Sequence, residues 1–272
     1  MKEVRPILAT SDGWTKRMAR RAALALSLML TTLTLSGGLA LAATISCEAG
    51  PDCLGTRQSD TLRGTESTDL IFGRNGSDVI RGRGGDDRIF GERGDDSLFA
   101  GAGDYNYLTG GFGDDELVGG AGTDLYYFGN GWGDDTVRDG TSDNRALFYG
   151  PDDVPVGEDL IVRFSPGPGA EAKTKDGQYR VSWEGDPFNY VVGGSGDDSI
   201  TGDDDDFSRI VPGDGDDDVF AGGGHDDILA HGDGGGDTIE CGPGNDTVYY
   251  DLFDQVASNC EEKHLTTQLP NP

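Results

Sequence analysis

Aspartates recur at a nine-residue spacing over much of the first half of the chain. They are Asp60, Asp69, Asp78, Asp87 and Asp96 and, after one ten-residue unit in which Asn106 takes the place of Asp, Asp115 and Asp124. Carboxylates that a repeat brings close together repel one another unless a cation lies between them. Such hard oxygen ligands suit Ca²⁺, which takes about six to eight oxygens, better than Mg²⁺, which demands a tighter octahedron. The spacing therefore predicts calcium binding, with these aspartates as candidate ligands.

The repeat around these aspartates predicts the elements that position them. With Asp at position 6, the unit reads G-G-x-G-x-D-x-U-x, where U is a large apolar residue. Glycines allow the left-handed backbone of a tight turn at positions 1–6, and positions 7–9 form a short strand. Two units make an eighteen-residue coil with the U side chains inside, so the sequence predicts an all-β, parallel β-roll (β-solenoid). The U residues are Leu62, Ile71, Ile80, Ile89, Leu98, Leu108, Leu117 and Tyr126.

Further candidate ligands lie beyond the regular units. A variant unit at 128–137 contributes Asp135, and a second, less regular array begins at 193–201. In units 55–63 and 64–72, Gln58 and Ser67 occupy position 4 instead of Gly, so we expect weaker or absent calcium sites at their aspartates. Unit 202–211 has four aspartates without a turn glycine, and its ligand is not assigned. The candidate ligands of the second array are Asp198, Asp217, Asp226, Asp237 and Asp246.

The N-terminal 42 residues predict a secretory signal peptide. A basic stretch at 16–21 precedes an apolar run at 22–35, and residues 40–42 provide an A-x-A cleavage site. Met18 is an alternative start. A retained membrane anchor is the other interpretation, but the apolar run is shorter than the roughly 20 residues that a span needs. We therefore expect a secreted protein, extracellular or at the cell surface, with no membrane span after cleavage.

Four cysteines remain after export, in two close pairs. Cys47 is near Cys53, and Cys241 is near Cys260. Export permits disulfides, and four cysteines allow three connectivities. We favour the two local pairs, each of which would clamp one end of the repeat region. A cysteine metal site is the alternative, but the chain has no C-x-x-C motif and few histidines.

The charge of the chain limits its partners. There are 50 acidic and 21 basic side chains, for a formal charge of −29. So acidic a chain cannot neutralise phosphates, and we exclude nucleic acid as a partner. Residues 1–42 hold six basic and two acidic side chains, so the exported chain carries −33. About ten Ca²⁺ ions would bring roughly +20, and without them we expect an expanded, disordered chain.

Between the arrays, residues 140–192 have a different composition and are predicted to form an irregular β segment. ALFYG, DLIVRF, YRVSW and FNYVV have the β-branched and aromatic content of strands, and 165–177 is predicted to be an exposed loop. Two interpretations remain, longer coils of the same solenoid or a small separate β insert. The predicted domains are the signal peptide 1–42, the first array 43–139, the joining segment 140–192, the second array 193–260 and a tail at 261–272.

The units resemble the RTX, or haemolysin-type, calcium-binding nonapeptide repeat. The resemblance covers about 55–96, 110–137 and 193–248, with motif matches such as GGFGDDELV (110–118) and GGSGDDSIT (193–201). It implies a parallel β-roll in which position-6 aspartates bridge neighbouring turns and small residues at positions 1–5 contribute carbonyl ligands to Ca²⁺. Many members carry a C-terminal export signal and avoid Cys. This chain is similar instead to standalone repeat proteins that bacteria secrete by the general route.

Position 9 predicts two outward rows of side chains. An aromatic row of this kind is either a docking strip for a partner or a cross-strand ladder that stiffens the sheet. The rows are Arg63, Arg81, Phe99 and Val118 on one side, and Phe72, Phe90, Thr109 and Tyr127 on the other.

The sequence contains no catalytic motif such as H-E-x-x-H or G-x-S-x-G, so we do not expect an enzyme. We expect a secreted calcium-binding protein that folds on binding Ca²⁺ and is structural or adhesive, with a cell-wall or cell-surface partner. The alternative is a secreted hydrolase with its site in 140–190. An ice-binding solenoid would need an outward Thr or Asn ladder, which positions 7 and 9 lack. The oligomeric state is not predicted.

Overall fold

The structure, a computed structural model, describes residues 42–47, 52–129, 131–139, 144–148, 160–163, 170–184, 188–202, 208–231 and 235–266. Residues 1–41 of the predicted signal peptide and the end of the predicted tail lie outside these ranges. In the described part of the chain, no helix has the length and hydropathy that crossing a membrane requires.

The first array is a solenoid whose short strands alternate between two faces. Face 1 holds β1 (Thr44–Ser46), β3 (Thr61–Arg63) and β5 (Val79–Gly84), and face 2 holds β2 (Asp52–Leu54), β4 (Leu70–Asn75) and β6 (Arg88–Arg93). The long strands β7 (Ser97–Phe112) and β8 (Glu116–Tyr127) run through a turn and contribute to both faces. Each strand pairs in parallel with the strand one coil further along the chain.

The register of these pairs confirms the predicted coil. Leu62 lies opposite Ile80, and Ile71 lies opposite Ile89, so equivalent residues are eighteen positions apart. All eight predicted U side chains of the first array have 0% of their surface exposed. One branched residue per unit therefore builds a continuous core, because successive coils stack it into a column.

In the joining segment, the described strands pair with both arrays. On face 2, β10 (Asn144–Leu147) lies between β8 and β14 (Phe188–Val192), all parallel. On face 1, β9 (Asp134–Arg138) pairs in parallel with β13 (Arg180–Glu184). Two further strands, β11 (Leu160–Arg163) and β12 (Glu171–Thr174), complete this part of face 1, and β12 runs antiparallel to both β11 and β13.

The prediction of an exposed loop at 165–177 is wrong for the residues that form β12. Ala172 has 0% of its surface exposed and Thr174 has 2%. In the stretch EAKT, the partly exposed Glu171 and Lys173 alternate with the buried Ala172 and Thr174, and this alternation is a strand pattern. In the sequence, the Lys and Glu content conceals the pattern.

The second array continues both faces. On face 1, β11 is followed by β15 (Ser199–Thr201), β17 (Asp218–Phe220), β19 (Thr238–Glu240) and β21 (Gln255–Val256). On face 2, β14 is followed by β16 (Arg209–Val211), β18 (Asp227–Ala230), β20 (Thr247–Tyr250) and β22 (Glu262–Leu265). The molecule is thus all-β, a parallel β-solenoid of about ten turns, as predicted.

Both local disulfides are present. Cys47 is bonded to Cys53 and Cys241 to Cys260, with Cα–Cα distances of 5.3 and 5.2 Å. The first joins the region after β1 to β2, and the second joins the end of β19 to the segment before β22. Each disulfide therefore ties a terminal coil of the described solenoid.

The aromatic row on face 2 forms a stacked ladder. Phe72 stacks on Phe90 with ring centroids 4.8 Å apart, and Phe90 contacts Tyr107 at 5.3 Å. Tyr107 in turn stacks on Tyr127 at 4.1 Å. The predicted member Thr109 is instead buried, with 6% exposed. The ring of Tyr107, two residues earlier, takes its place in the outward row.

Candidate calcium-binding turns

Every aspartate predicted as a calcium ligand is buried; Asp124 and Asp135 lie within β8 and β9, and the others lie just before a strand. At most 6% of the surface of each of the thirteen is exposed. Burial of so many carboxylates in a strongly acidic chain is costly unless each one has hydrogen-bond donors or a counter-charge. The thirteen are Asp60, Asp69, Asp78, Asp87, Asp96, Asp115, Asp124, Asp135, Asp198, Asp217, Asp226, Asp237 and Asp246.

One carboxylate oxygen of each repeat aspartate links two coils. The backbone N–H of Asp60 donates to Oδ1 of Asp78 at 2.6 Å, and that of Asp78 donates to Oδ1 of Asp96 at 2.6 Å. On the other side of the solenoid, the N–H of Asp69 donates to Oδ1 of Asp87 at 2.9 Å. The same bond recurs along both arrays, so position 6 forms a ladder that fixes the stacking of the turns.

In the first two units, the second carboxylate oxygen has donors from a threonine at position 2. Oδ2 of Asp60 accepts the backbone N–H of Thr56 at 2.6 Å and its hydroxyl at 2.8 Å. Oδ2 of Asp69 accepts the N–H and hydroxyl of Thr65 at 2.6 and 3.0 Å. These aspartates need no cation to satisfy Oδ2, which supports the expectation of weak or absent calcium sites in units 55–63 and 64–72.

In later units, the equivalent oxygen has no hydrogen-bond donor among the residues that the structure describes. It is buried, and a buried acceptor left unsatisfied costs about 1–3 kcal/mol, more for a charged group. A cation is the ligand that would satisfy it without a proton. This holds for Oδ2 of Asp78, Asp87, Asp96, Asp115, Asp135 and Asp246.

A carbonyl oxygen from the next coil faces the same space. An ideal Cβ on Gly73 would lie 2.5 Å from Oδ2 of Asp78 and 2.8 Å from the carbonyl oxygen of Gly91. On Gly82, it would overlap with Oδ2 of Asp87 and lie 2.6 Å from the carbonyl oxygen of Ala100. The absence of a side chain at position 1 therefore leaves room where two oxygen acceptors converge.

This donor set fits Ca²⁺. Among the described residues, no three His, Cys, Asp or Glu side chains come together as a metal site. A cation in these turns would therefore need backbone carbonyls beside the single carboxylate, and Ca²⁺ accepts such mixed oxygen ligands. The residues that would hold it are the position-6 aspartates and the carbonyl groups of positions 1–5.

Burial also shifts the ionisation of these carboxyl groups. Desolvation raises the pKa of Asp78 to about 6, of Asp87 and Asp115 to about 7, and of Asp96 to about 8. Hydrogen bonds from the backbone oppose this shift, and neighbouring carboxylates add to it. Compared with a free aspartate, the metal-free turn thus shifts the equilibrium towards the protonated carboxyl group, whereas a bound cation would favour the carboxylate.

In the five successive units from 73 to 118, position 2 of the turn has a left-handed backbone. Gly101 and Gly111 have φ of +98° and +111° there, but Arg74, Arg83 and Glu92 adopt φ of 85°, 90° and 75° at the same position. Side chains rarely accept this conformation. Three successive units of the first array therefore have a strained turn where the repeat motif would place Gly.

Several residues of the position-6 ladder were not predicted from the sequence. Asn144 accepts the N–H of Asp124 at 2.7 Å, and Ser208 donates its N–H to Asp226 at 2.8 Å. Near the C-terminus, Asp254 and Glu261 accept the N–H groups of the last two repeat aspartates. Ser208 lies eighteen residues before Asp226, so a count of one coil back from a secure unit would have found it.

Comparison with protein families agrees with this geometry. The RTX calcium-binding nonapeptide repeat (4 copies) matches residues 54–89, 72–105, 106–131, 188–206 and 231–249. No curated protein matches the chain. The matched ranges contain turns of both arrays, with their position-6 ladders. The chain therefore contains RTX calcium-binding nonapeptide repeats in both arrays, and its parallel β-solenoid is consistent with the β-roll of such repeats.

Proposed function

We propose that this protein is exported, folds outside the cell when it binds calcium, and then serves as a rigid structural or adhesive element at or beyond the cell surface. The observation that carries the proposal is the row of buried carboxylate oxygens without donors among the described residues, of which those of Asp78, Asp87 and Asp96 face a position-1 glycine and a carbonyl oxygen of the next coil. Bound Ca²⁺ would supply their missing positive charge. The folding free energy of the arrays would then depend on the ion.

The proposed ligands differ along the chain. In the first array they are Asp78, Asp87, Asp96, Asp115, Asp124 and Asp135, and in the second Asp198, Asp217, Asp226, Asp237 and Asp246. Asp60 and Asp69 are proposed as weaker sites, because threonine already satisfies both of their second oxygens.

The excess of acidic residues in the two arrays supports folding that depends on calcium. The first array, 43–139, has 19 acidic residues and 8 arginines, and the second, 193–260, has 18 acidic residues and one arginine. Exposed arginines offset part of the repulsion in the first array: Arg81, for example, lies over the Phe99 ring, and Arg83 pairs with Glu66. The second array has almost no such compensation and should depend more strongly on bound cations.

Export and an extracellular role rest on two features. The N-terminal segment has the pattern of a signal peptide, and the two disulfides are of the kind that persists in oxidising compartments. A solenoid clamped at both ends suits a stiff extracellular element. Its partner would be a cell-wall or cell-surface component. In the described residues no specific observation favours the hydrolase alternative in 140–190.

The first test is a calcium titration of residues 43–272 after chelation, followed by far-UV circular dichroism and calorimetry. We expect a coil-to-β transition with several ions bound and little response to Mg²⁺. A folded spectrum that chelation leaves unchanged would refute the folding switch.

Two matched variants test the ligand assignment. Asp96→Asn and Asp69→Asn change the same charge at the same repeat position, but only Asp69 has threonine donors on its second oxygen. We expect Asp96→Asn to lose one ion or to weaken one strongly, and Asp69→Asn to keep the ion count of the wild type. Equal ion counts in both variants and the wild type would refute the assignment.

A further inference from the structure

The turn at Gly119 differs from the turns before it. Over Gly73 and Gly82, the space at position 1 is bounded by one carboxylate oxygen and one carbonyl oxygen. An ideal Cβ on Gly119 would instead overlap with three side-chain oxygens: Oδ2 of Asp124, Oδ2 of Asp139 and the hydroxyl of Tyr126. Two carboxylates and a phenol therefore converge where other turns have one carboxylate.

The additional carboxylate comes from the following coil, at a position where the residue differs from those of earlier coils. Val118 pairs with Arg138 across β8 and β9, so Asp139 occupies the position below Gly119. That position is Gly91, Ala100 or Gly110 in earlier coils, residues without a polar side chain. Asp139 has a carboxylate there, and the carboxylate points back towards Asp124. The repeat motif does not account for this residue.

Tyr126 holds Asp139 in this orientation. Its hydroxyl donates to Oδ2 of Asp139 at 2.5 Å. The phenol is itself fixed, with 0% of its surface exposed and its ring packed edge-on against Phe188 at 5.5 Å. At position 8, the preceding units have Leu or Ile, which have no donor. Tyr126 and Asp139 thus depart from the repeat together and contact each other.

The second carboxylate oxygen of Asp124 is turned towards Asp139. Its Oδ1 accepts the side-chain amide of Asn106 at 2.8 Å, while Oδ2 interacts with the carboxyl group of Asp139 and has no other donor among the described residues. The residue is fully buried, with 0% exposed. Two carboxylates that face each other in a buried turn repel when both are ionised. A divalent cation between them would remove that repulsion without a proton.

We propose that Asp124 and Asp139, with Tyr126 as the orienting donor, form a two-carboxylate cation site that fills before the other turns. It has one more negative ligand than a regular turn, and ligand charge is a main determinant of calcium affinity. This inference rests on the proposed function for the identity of the ion. It adds a ligand, Asp139, from outside position 6.

The test is a chelator-competition titration of residues 43–272 with Ca²⁺, which resolves the ion of highest affinity. In Asp139→Asn, we expect that ion to bind about tenfold more weakly or worse, since the side-chain shape is kept and one ligand charge is lost. The matched control is Asp134→Asn, which removes the same charge from an exposed residue of β9, the strand that ends just before Asp139. It should bind the first ion as the wild type does.

Two further variants decide the result if Asp139→Asn does not fold. Tyr126→Phe keeps both carboxylates but releases Asp139, and we expect a smaller weakening of the first ion. Asp139→Glu keeps the charge and should retain tight binding. Wild-type affinity for the first ion in Asp139→Asn or Tyr126→Phe would overturn the inference, and so would an equal loss in Asp134→Asn. A wild-type chain that binds no calcium would overturn the proposed function itself.

Discussion

The repeat arrays and the segment between them share one solenoid but differ in what fills it. In the first array, the core is a column of single aliphatic side chains, such as Ile71, Ile80 and Ile89, and the turns hold buried carboxylates. Around the joining segment, large rings pack with centroids 5.1–6.4 Å apart. We call these rings the aromatic cluster: Phe128, Trp132, Phe148, Tyr179, Trp183 and Phe188.

The difference indicates two ways to stabilise the same coil. A buried aromatic side chain removes about 150–250 Å² of surface from water, far more than one aliphatic residue per unit. The ladder position in β10 is the neutral Asn144, so this coil adds no buried charge there. Where the aromatic cluster is present, burial alone can hold the coils. In the arrays the core is thin, and on the proposed function the acidic turns depend on a cation.

The largest expected effect comes from calcium removal. Far-UV circular dichroism reports mainly the arrays, whereas tryptophan emission reports the aromatic cluster, since Trp132 and Trp183 are the tryptophans of residues 43–272. On chelation, we expect most of the β signal to disappear while tryptophan emission changes less. Simultaneous loss of both signals at one chelator concentration would show that the arrays and the cluster unfold as one unit.

The next largest effect distinguishes the aromatic cluster from the aliphatic core of the arrays. Trp132 has 1% of its surface exposed and contacts Phe128, Phe148 and Tyr179. Trp132→Ala should lower the free energy of unfolding by about 3–5 kcal/mol, measured by urea denaturation in saturating calcium. Tyr105→Ala, at a ring with 60% of its surface exposed, is the control and should change it little. A loss below about 1 kcal/mol in Trp132→Ala would mean that the cluster is not a stabilising core.

The sequence predicted the arrays better than the joining segment for a physical reason. In the arrays, the period of nine fixes which residue points inward, so the buried side chains of position 8 were located correctly, and the position-6 aspartates share one ladder. The joining segment has no period, and the antiparallel strand β12 has Lys and Glu on its outer side, so EAKT gave no strand signal. Its pairing partners depend on contacts between residues far apart in the chain.

The site was predictable only at its aspartates. The satisfaction of Asp60 by Thr56, and the contact of Tyr126 with Asp139, depend on which side chains share one turn after stacking. The repeat motif places Gly at position 2 and so gives no indication of a donor there. A repeat pattern identifies equivalent positions, but the exceptions at those positions determine which buried carboxylates have donors.

A third expected effect is the pH dependence of the arrays in chelator. The pKa values of Asp78, Asp87 and Asp96 are raised by burial to about 6, 7 and 8, above the ordinary value of 3.8. Folding of the metal-free array therefore takes up protons. This proton uptake stabilises the folded array fully at a pH below the pKa of the carboxyl groups in the unfolded chain. The stabilisation is lost as pH rises through about 6 to 8. Chelated protein should be more structured at pH 5 than at pH 8, as measured by far-UV circular dichroism.

Calcium should reverse this dependence. Because the carboxyl groups must lose their protons to bind the ion, calcium affinity should rise between pH 5 and pH 8. Asp96→Asn removes the carboxyl group whose pKa is raised to about 8, so it should flatten the slope in chelator. Chelated protein that is more stable at pH 8 than at pH 5 would show that the buried carboxyl groups do not control folding.

The smallest expected effect concerns rings on the outside of the array. Phe90 is half-buried and lies between Phe72 and Tyr107 in the stacked ladder. Cross-strand pairs of this kind contribute about 0.2–1 kcal/mol each, so Phe90→Ala should cost about 1–2 kcal/mol in saturating calcium. Phe112→Ala, at a ring with 54% exposed that contacts Arg93, is the control and should cost less. If Phe90→Ala were as costly as Trp132→Ala, the ladder would be a second core, and the arrays would owe less of their stability to calcium than the comparison with the aromatic cluster implies.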